Sequence, residues 1–201
     1  MRRLEVCVSK QGDLAVKEFS MFEQALRVAG GQAVTDLGAV AGLSRQTFDE
    51  LTMFRFRTQP PCFEYLSLLI ETAILLRTHR GGRIYAGFER LSRMEPIIAR
   101  YLRIADVSER LYVFGEMDWQ PPRHPNMRAI KLQPDARLAR EWFVIADTPS
   151  LQVALVAVDE ASFNAPVLDA HNFDTFKSSD PNIVTQLAAA AESLIDTTLK
   201  G

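Results

Sequence analysis

The spacing of apolar residues changes several times along the chain, and each change marks an element. Ile84-Tyr85-Ala86-Gly87-Phe88 is an almost unbroken apolar run, after which Met94, Ile97, Ile98, Tyr101 and Leu102 recur at helical spacing. A second run, Leu111-Tyr112-Val113-Phe114-Gly115, ends at Glu116-Met117-Asp118. Such runs fit strands covered on both faces, and the period of 3.6 between them fits a helix. Residues 83–118 therefore read as a βαβ unit with parallel strands and a right-handed connection. Ser92-x-x-Glu95 matches a capping box, with a helix start near Glu95 as the alternative, because Pro96 suits a first helical turn.

Toward the N-terminus, Leu4-Glu5-Val6-Cys7-Val8 alternates like an edge strand and stops at the turn-prone Gln11-Gly12-Asp13. Phe22, Ala25, Leu26 and Ala29 predict a helix within residues 19–29, ended by Gly30-Gly31. Residues 34–41 and 44–54 read as two short helical stretches around Gly42-Leu43, the second capped by Ser44. Pro60-Pro61 then breaks the chain and suggests a boundary. Residues 62–76 leave hardly any polar face and predict the central buried helix. Each large side chain taken out of water there contributes roughly 1.5–3 kcal/mol before chain entropy is subtracted. Glu71 must face outward or find a partner.

Beyond Asp118, residues 119–125 hold Pro121, Pro122 and Pro125 and form a surface loop. Residues 127–132 and 141–146 read as strands. Asp147-Thr148-Pro149-Ser150 connects the second of these to an apolar run over 151–158, giving an antiparallel hairpin. Residues 163–176 are less regular. Asp180 caps a closing helix with Pro181 at its first position, and Ile183, Val184, Leu187, Ala191, Leu194 and Ile195 stripe it. The fold class is α+β: a mixed sheet of about five or six strands with one βαβ unit and a C-terminal antiparallel hairpin, packed with helices. Residues 1–60 read as a mostly helical N-terminal segment and 61–201 as an α/β domain, or the two as one continuous unit.

Composition narrows the function classes. The 201 residues carry a formal net charge of −2, so no overall field draws the chain to nucleic acid or an anionic membrane. The cysteines, Cys7 and Cys62, are too few for a disulfide framework and have no zinc spacing, which fits a reducing cytoplasm. The opening residues lack the apolar core of a signal peptide, and the apolar run over 65–76 is short for a bilayer and contains Glu71. No metal site or glycine-rich phosphate loop is expected, and no cofactor can be named.

Ligands of open sheets with parallel strands gather beyond the strands' carboxyl ends. Glu89 and Arg90 finish the first strand of the βαβ unit there, and Glu116 and Asp118 the second. These carboxylates could take a hard cation or work as acid and base, or they could simply end strands where water begins. Gly87 and Gly115 leave room for a ligand or for close packing. Trp119 and Trp142 could cover a pocket, Trp142 also suiting the core. Cys62 at a helix start suits either a lowered thiol pKa or, more simply, a buried apolar role. His79, His124 and His171 are scattered and read as surface residues. Residues 33–57 also have the outline of a helix-turn-helix, in which Arg45, Gln46 and Arg55 would face DNA. Asp49 and Glu50 on the same helix oppose that use, since DNA affinity rests on neutralising phosphates.

The succession of motifs resembles the DICT sensory domain, named for its association with diguanylate cyclases and two-component systems. The resemblance runs from Phe48 to Pro181. It is carried by Leu69-Ile70-Glu71, Tyr85-Ala86-Gly87-Phe88-Glu89-Arg90, Arg100-Tyr101, Val113-Phe114-Gly115, Glu141-Trp142-Phe143-Val144-Ile145 and Phe173-Asp174-Thr175-Phe176. Glu89 stands where the family pattern has Gln. The resemblance implies a non-catalytic signal-input module, frequent in cyanobacteria and often attached to kinases or cyclases. This chain has no room for either, so the expectation is a cytoplasmic sensor that acts through a signalling partner or as a homodimer, with Glu89, Arg90, Glu116, Asp118 and Trp142 at its ligand edge. A DNA-binding regulator is the alternative.

Overall fold

The computed structural model describes residues 16–30, 32–77, 81–159 and 172–200. The strand expected at residues 4–8 and the turn after it lie outside them, as do Cys7, His79 and His171. In chain order the elements are α1 (Met21–Ala29), β1 (Thr35–Ala39), α2 (Arg45–Glu50), β2 (Met53–Thr58), α3 (Pro60–Leu76), β3 (Arg83–Arg90), a 3-10 segment (Leu91–Ile97), α4 (Ile98–Val107), β4 (Arg110–Glu116), β5 (Met127–Lys131), a 3-10 turn (Arg137–Arg140), β6 (Glu141–Thr148), β7 (Leu151–Asp159), β8 (Phe173–Ser178) and α5 (Pro181–Lys200).

Among the described residues eight strands, rather than about five or six, make one mixed sheet in the order β1-β2-β8-β7-β6-β3-β4-β5. The βαβ unit is present: β3 and β4 are neighbours and parallel, with Ile84 opposite Leu111 and Gly87 opposite Phe114. Strand β5 adds parallel to β4, and β6 runs antiparallel to β3. The hairpin of β6 and β7 pairs Glu141 with Val158 through Thr148 with Leu151.

Alternation along the strands sends side chains to two cores, giving helix, sheet and helix layers. Ala154 and Val156 join Tyr85, Phe114 and Phe143 under α1 and α5. Val153, Leu155 and Ala157 join Ile84, Val113 and Phe173 under α3 and α4. Residues 153–157 are consequently buried throughout. Ties of charge hold the layers in place. Glu71, 3% exposed, accepts from Arg100 Nη1 at 2.5 Å and from the Tyr101 hydroxyl at 2.8 Å, joining α3 to α4. The partner that its position demanded is therefore on α4.

Three expectations are corrected. Residues 34–41 are not helical but supply β1, parallel to β2. Val34 and Thr35 are β-branched, Asp36 Oδ1 accepts from Gly38 N at 2.7 Å, and Gly38 has φ +67°, a conformation incompatible with helix. Pro60 and Pro61 are not a break ahead of the helix but its first two residues, where missing N–H groups cost nothing. The Ser92 capping box is absent: residues 91–97 are 3-10, Pro96 interrupts the ladder, and the α-helix begins at Ile98. Helix α3 also buries only one face, since Tyr65, Leu68 and Leu76 remain exposed.

Helix α1 begins over a buried acid. Ser20 caps it by accepting from Glu23 N at 3.0 Å and donates to Glu141, whose Oε2 accepts from Phe22 N at 3.0 Å. Burial pushes the Glu141 carboxyl up to about 7 against these hydrogen bonds. A raised carboxyl favours the fold fully below its ordinary value of 4.5, and this contribution is lost as pH rises through about 7. The loss amounts to about 3 kcal/mol. Denaturant melts of parent and Glu141→Gln at pH 5 and 8 check this: the parent loses stability relative to the variant on going to the higher pH.

Candidate functional site

Beyond Gly87 the register of β3 against β4 shifts, and Arg90 becomes the partner of Glu116. The shift is possible because Gly115 has no side chain. A Cβ there would lie 2.4 Å from the Phe88 carbonyl oxygen and 3.1 Å from Leu91 Cδ2. Gly87 is equally constrained, since its Cβ would lie 2.2 Å from the Phe143 ring. Both glycines are therefore packing devices, and the second sets how the chain crosses the strand end.

The residues expected at the ligand edge are placed around this crossing. Glu89, 7% exposed, pairs with Arg93, and the Arg93 guanidinium lies over the Trp142 ring at 4.9 Å. Arg93 Nε is buried and has no hydrogen-bond partner among the described residues. Trp142 continues into an aromatic cluster with Phe173 at 5.1 Å and Phe63 at 6.1 Å, which connects the strand ends to α3. Arg90 Nε lies 3.9 Å from Glu116. Asp118 accepts from Ser92 N at 3.0 Å and from Ser92 Oγ at 2.5 Å. Burial works to raise the Asp118 carboxyl, but the Ser92 hydrogen bonds and the charge of Arg90 outweigh it and hold the group below its usual range.

Each strand-end acid thus has its own partner. Among the described residues no group of three His, Cys, Asp or Glu side chains is arranged to hold a metal ion, so the reading of Glu89, Glu116 and Asp118 as one cation site does not match the geometry. Past Asp118 the chain turns away and bounds an open cleft of about 640 Å³. Trp119, Pro121, Pro122 and Met117 make it apolar, Met127 and Ala129 of β5 line another side, and Asp118 and Arg123 add opposite charges. Trp119 also packs on the α3 and α4 core.

Sequence reasoning placed the acids and both tryptophans but missed Arg93 and Ser92. The spacing of Glu89 and Arg93, four apart with opposite charge, was the available signal. The residues assigned to DNA do not form a reading head. With residues 35–39 in β1, the first helix that a helix-turn-helix needs before α2 is replaced by a strand, and α2 is only six residues long. Arg45 lies 3.4 Å from Asp49, and Gln46 donates to Glu50 at 2.8 Å on the same turn. Arg55 is on β2, paired with Asp174. Cys62 is buried in the α3 core, and His124 Nε2 lies 3.1 Å from Asp106 on the surface.

Residues 62–160 match the family model DICT, described as a sensory domain in diguanylate cyclases and two-component systems. This stretch is a DICT domain. The DICT match takes in α3 and β3 through β7 with the whole strand-end site, while β1, β2, β8 and α5 complete the sheet and its cover from outside it. Among solved structures, the fold is similar to that of polyphosphate kinase from Porphyromonas gingivalis, with TM-score 0.54 and 13% sequence identity. The likeness covers 77% of this chain but only 29% of that kinase, and it is a likeness of fold. No curated protein matches the chain. No helix among the described residues is long and apolar enough to cross a membrane.

Two measurements test the site geometry. Gly115→Ala forces the Phe88 carbonyl aside and lowers stability by about 1–3 kcal/mol in denaturant melts. In Ser92→Ala the Asp118 carboxyl titrates at higher pH than in the parent, as followed by carboxyl NMR shifts, because the hydrogen bonds that favour its charged form are reduced.

Proposed function

We propose that this chain is a non-catalytic cytoplasmic sensor of bacterial, in particular cyanobacterial, signal transduction. Residues on both sides of the family match act as one unit, and the input is read at the carboxyl ends of β3 and β4. The observation that carries the reading is the DICT match over 62–160, which contains a strand-end edge opening onto a cleft. Glu89, Arg90, Glu116, Asp118 and Trp142 form the polar and aromatic border of that edge, and Trp119 forms its apolar wall. A small, partly apolar molecule with a hydrogen-bonding group suits these neighbours.

Output follows from connection. Glu89, Arg93, Trp142 and Phe63 are linked in contact from the strand ends to α3, so a molecule that moves Arg93 or Trp119 bears directly on that helix. The recipient is a kinase- or cyclase-type signalling protein or a second copy of the chain. Mass spectrometry of small molecules retained by the purified full chain, followed by NMR titration with the molecule found, tests the input. Amide shifts concentrated at residues 116–129 and affinity at least about tenfold weaker in Trp119→Ala are expected. Shifts confined to another part of the sheet would refute the assignment of the edge.

A further inference from the structure

The sheet ends in β1 on one side and β5 on the other, and the two edges differ. Strand β1 is broken by a register shift between Asp36 and Ala39 and by the left-handed Gly38, features that spoil an edge as a template for pairing. Strand β5 is regular. It pairs with β4 from Met127 to Lys131 without a shift, and among the described residues no strand covers its other side. Leu111 N donates to the Asn126 carbonyl at 2.7 Å and Leu132 N to the Gly115 carbonyl at 2.9 Å, so the even-numbered residues along β5 bond β4. Met127, Ala129 and Lys131 therefore turn their N–H and C=O groups outward. Met127 N donates to the His124 carbonyl at 3.2 Å, and the rest of these groups have no partner among the described residues. Met127 and Ala129 also line the cleft bounded by Trp119, Pro121 and Pro122, so the free ladder and the apolar cleft lie side by side.

Charge says what fits there. Arg123, Arg128 and Lys131 are exposed and make no ion pair among the described residues. The acids around them are matched, Asp118 by Ser92, Asp106 by His124 and Asp135 by Lys17. Cations on an edge strand ordinarily discourage pairing, because a neutral or basic guest leaves them unmatched or repelled; an acidic guest reverses that penalty.

We propose that the outer edge of β5 takes an extended acidic segment of a signalling partner as an added strand, with apolar side chains of that segment in the Trp119 cleft. Alternation fixes the pattern of the guest. Positions level with Met127 and Ala129 face the cleft and are apolar, the position level with Arg128 lies on the opposite face and is acidic, and the position level with Lys131 is acidic as well. This names the chemistry of the recipient and so rests on the partner reading of the proposed function, while the surface itself is argued from β5 and its neighbours.

The probe is an end-blocked peptide reading valine, glutamate, valine, threonine, glutamate between flanking threonines, titrated to about 5 mM against the isotope-labelled full chain. The amide signals of Ala129 and Lys131 shift, and their hydrogen exchange slows at least about threefold at saturation. Lys131→Glu, whose amide spectrum shows that it is folded, binds the peptide at least about fivefold more weakly and prefers a version with lysine in place of glutamate. N-methylating one alternate set of peptide amides abolishes binding and the other set is tolerated, because only one edge of the guest meets β5. No shift at Ala129 and Lys131 at the highest concentration overturns the proposal, as do equal affinity for the lysine peptide and equal tolerance of both N-methylated sets. Any of these results leaves the small-molecule reading of the cleft standing, since a molecule seated against Trp119 has no need to slow the Lys131 amide.

Discussion

The missing side chain at Gly115 lets the β3 backbone fold across the end of β4. The Phe88 carbonyl oxygen stands where a Cβ would be, and from that approach follow the shifted register, the pairing of Arg90 with Glu116 and the turn into the 3-10 segment at Leu91. Ser92 then comes to Asp118 and Arg93 to Glu89. A larger residue would push the strands apart where acids, guanidinium groups and tryptophans converge. This edge of the sheet is thus fixed by backbone proximity, and its side chains take up the positions that proximity allows.

Buried charge elsewhere serves assembly. Glu71 joins α3 to α4 through Arg100 and Tyr101, whose hydroxyl burial and the neighbouring Glu71 charge keep protonated. Glu141 receives the start of α1. Lys177 of β8, 2% exposed, donates to the Leu51 carbonyl and Ser179 Oγ and lies near the rings of Phe48 and Phe54. Burial lowers its amine to about 8, with Asp49 opposing the change. Each of these groups joins a helix or corner to its neighbour, and each has the hydrogen bonds that make its burial tolerable.

The parts of the fold that were legible in the sequence are those where period and punctuation agree. The apolar runs of β3, β4, β6 and β7, the turn at Pro149-Ser150 and the Asp180-Pro181 start of α5 each carry a local physical cause. The parallel β3 and β4 pair could be inferred from them, as could the edge with its acids and tryptophans. What failed depended on long-range pairing. Thr35–Ala39 becomes a strand by lying beside β2, and its apolar residues divide between cores, with Val34 on one side of the sheet and Leu37 on the other. The Ser92 signature was real as a pattern, but Asp118, 26 positions away, takes the serine from the helix. Arg93 was missed for the same reason, because its place over Trp142 is set by the sheet.

The sheet order has a consequence for how the chain can be divided. Strand β7 is covered on one side by β6 and on the other by β8, which itself leans on β2, so Phe54 and Lys177 lie opposite each other across the ladder. A fragment trimmed to residues 62–160 would keep β6 but lose β8, β2 and β1 together. The wholly apolar middle of β7 would then become a raw margin with unsatisfied amides and carbonyls, the kind of surface that recruits other strands indiscriminately. Nonlocal closure of this sort also implies slow folding, because segments more than a hundred residues apart must meet before the margin is sealed.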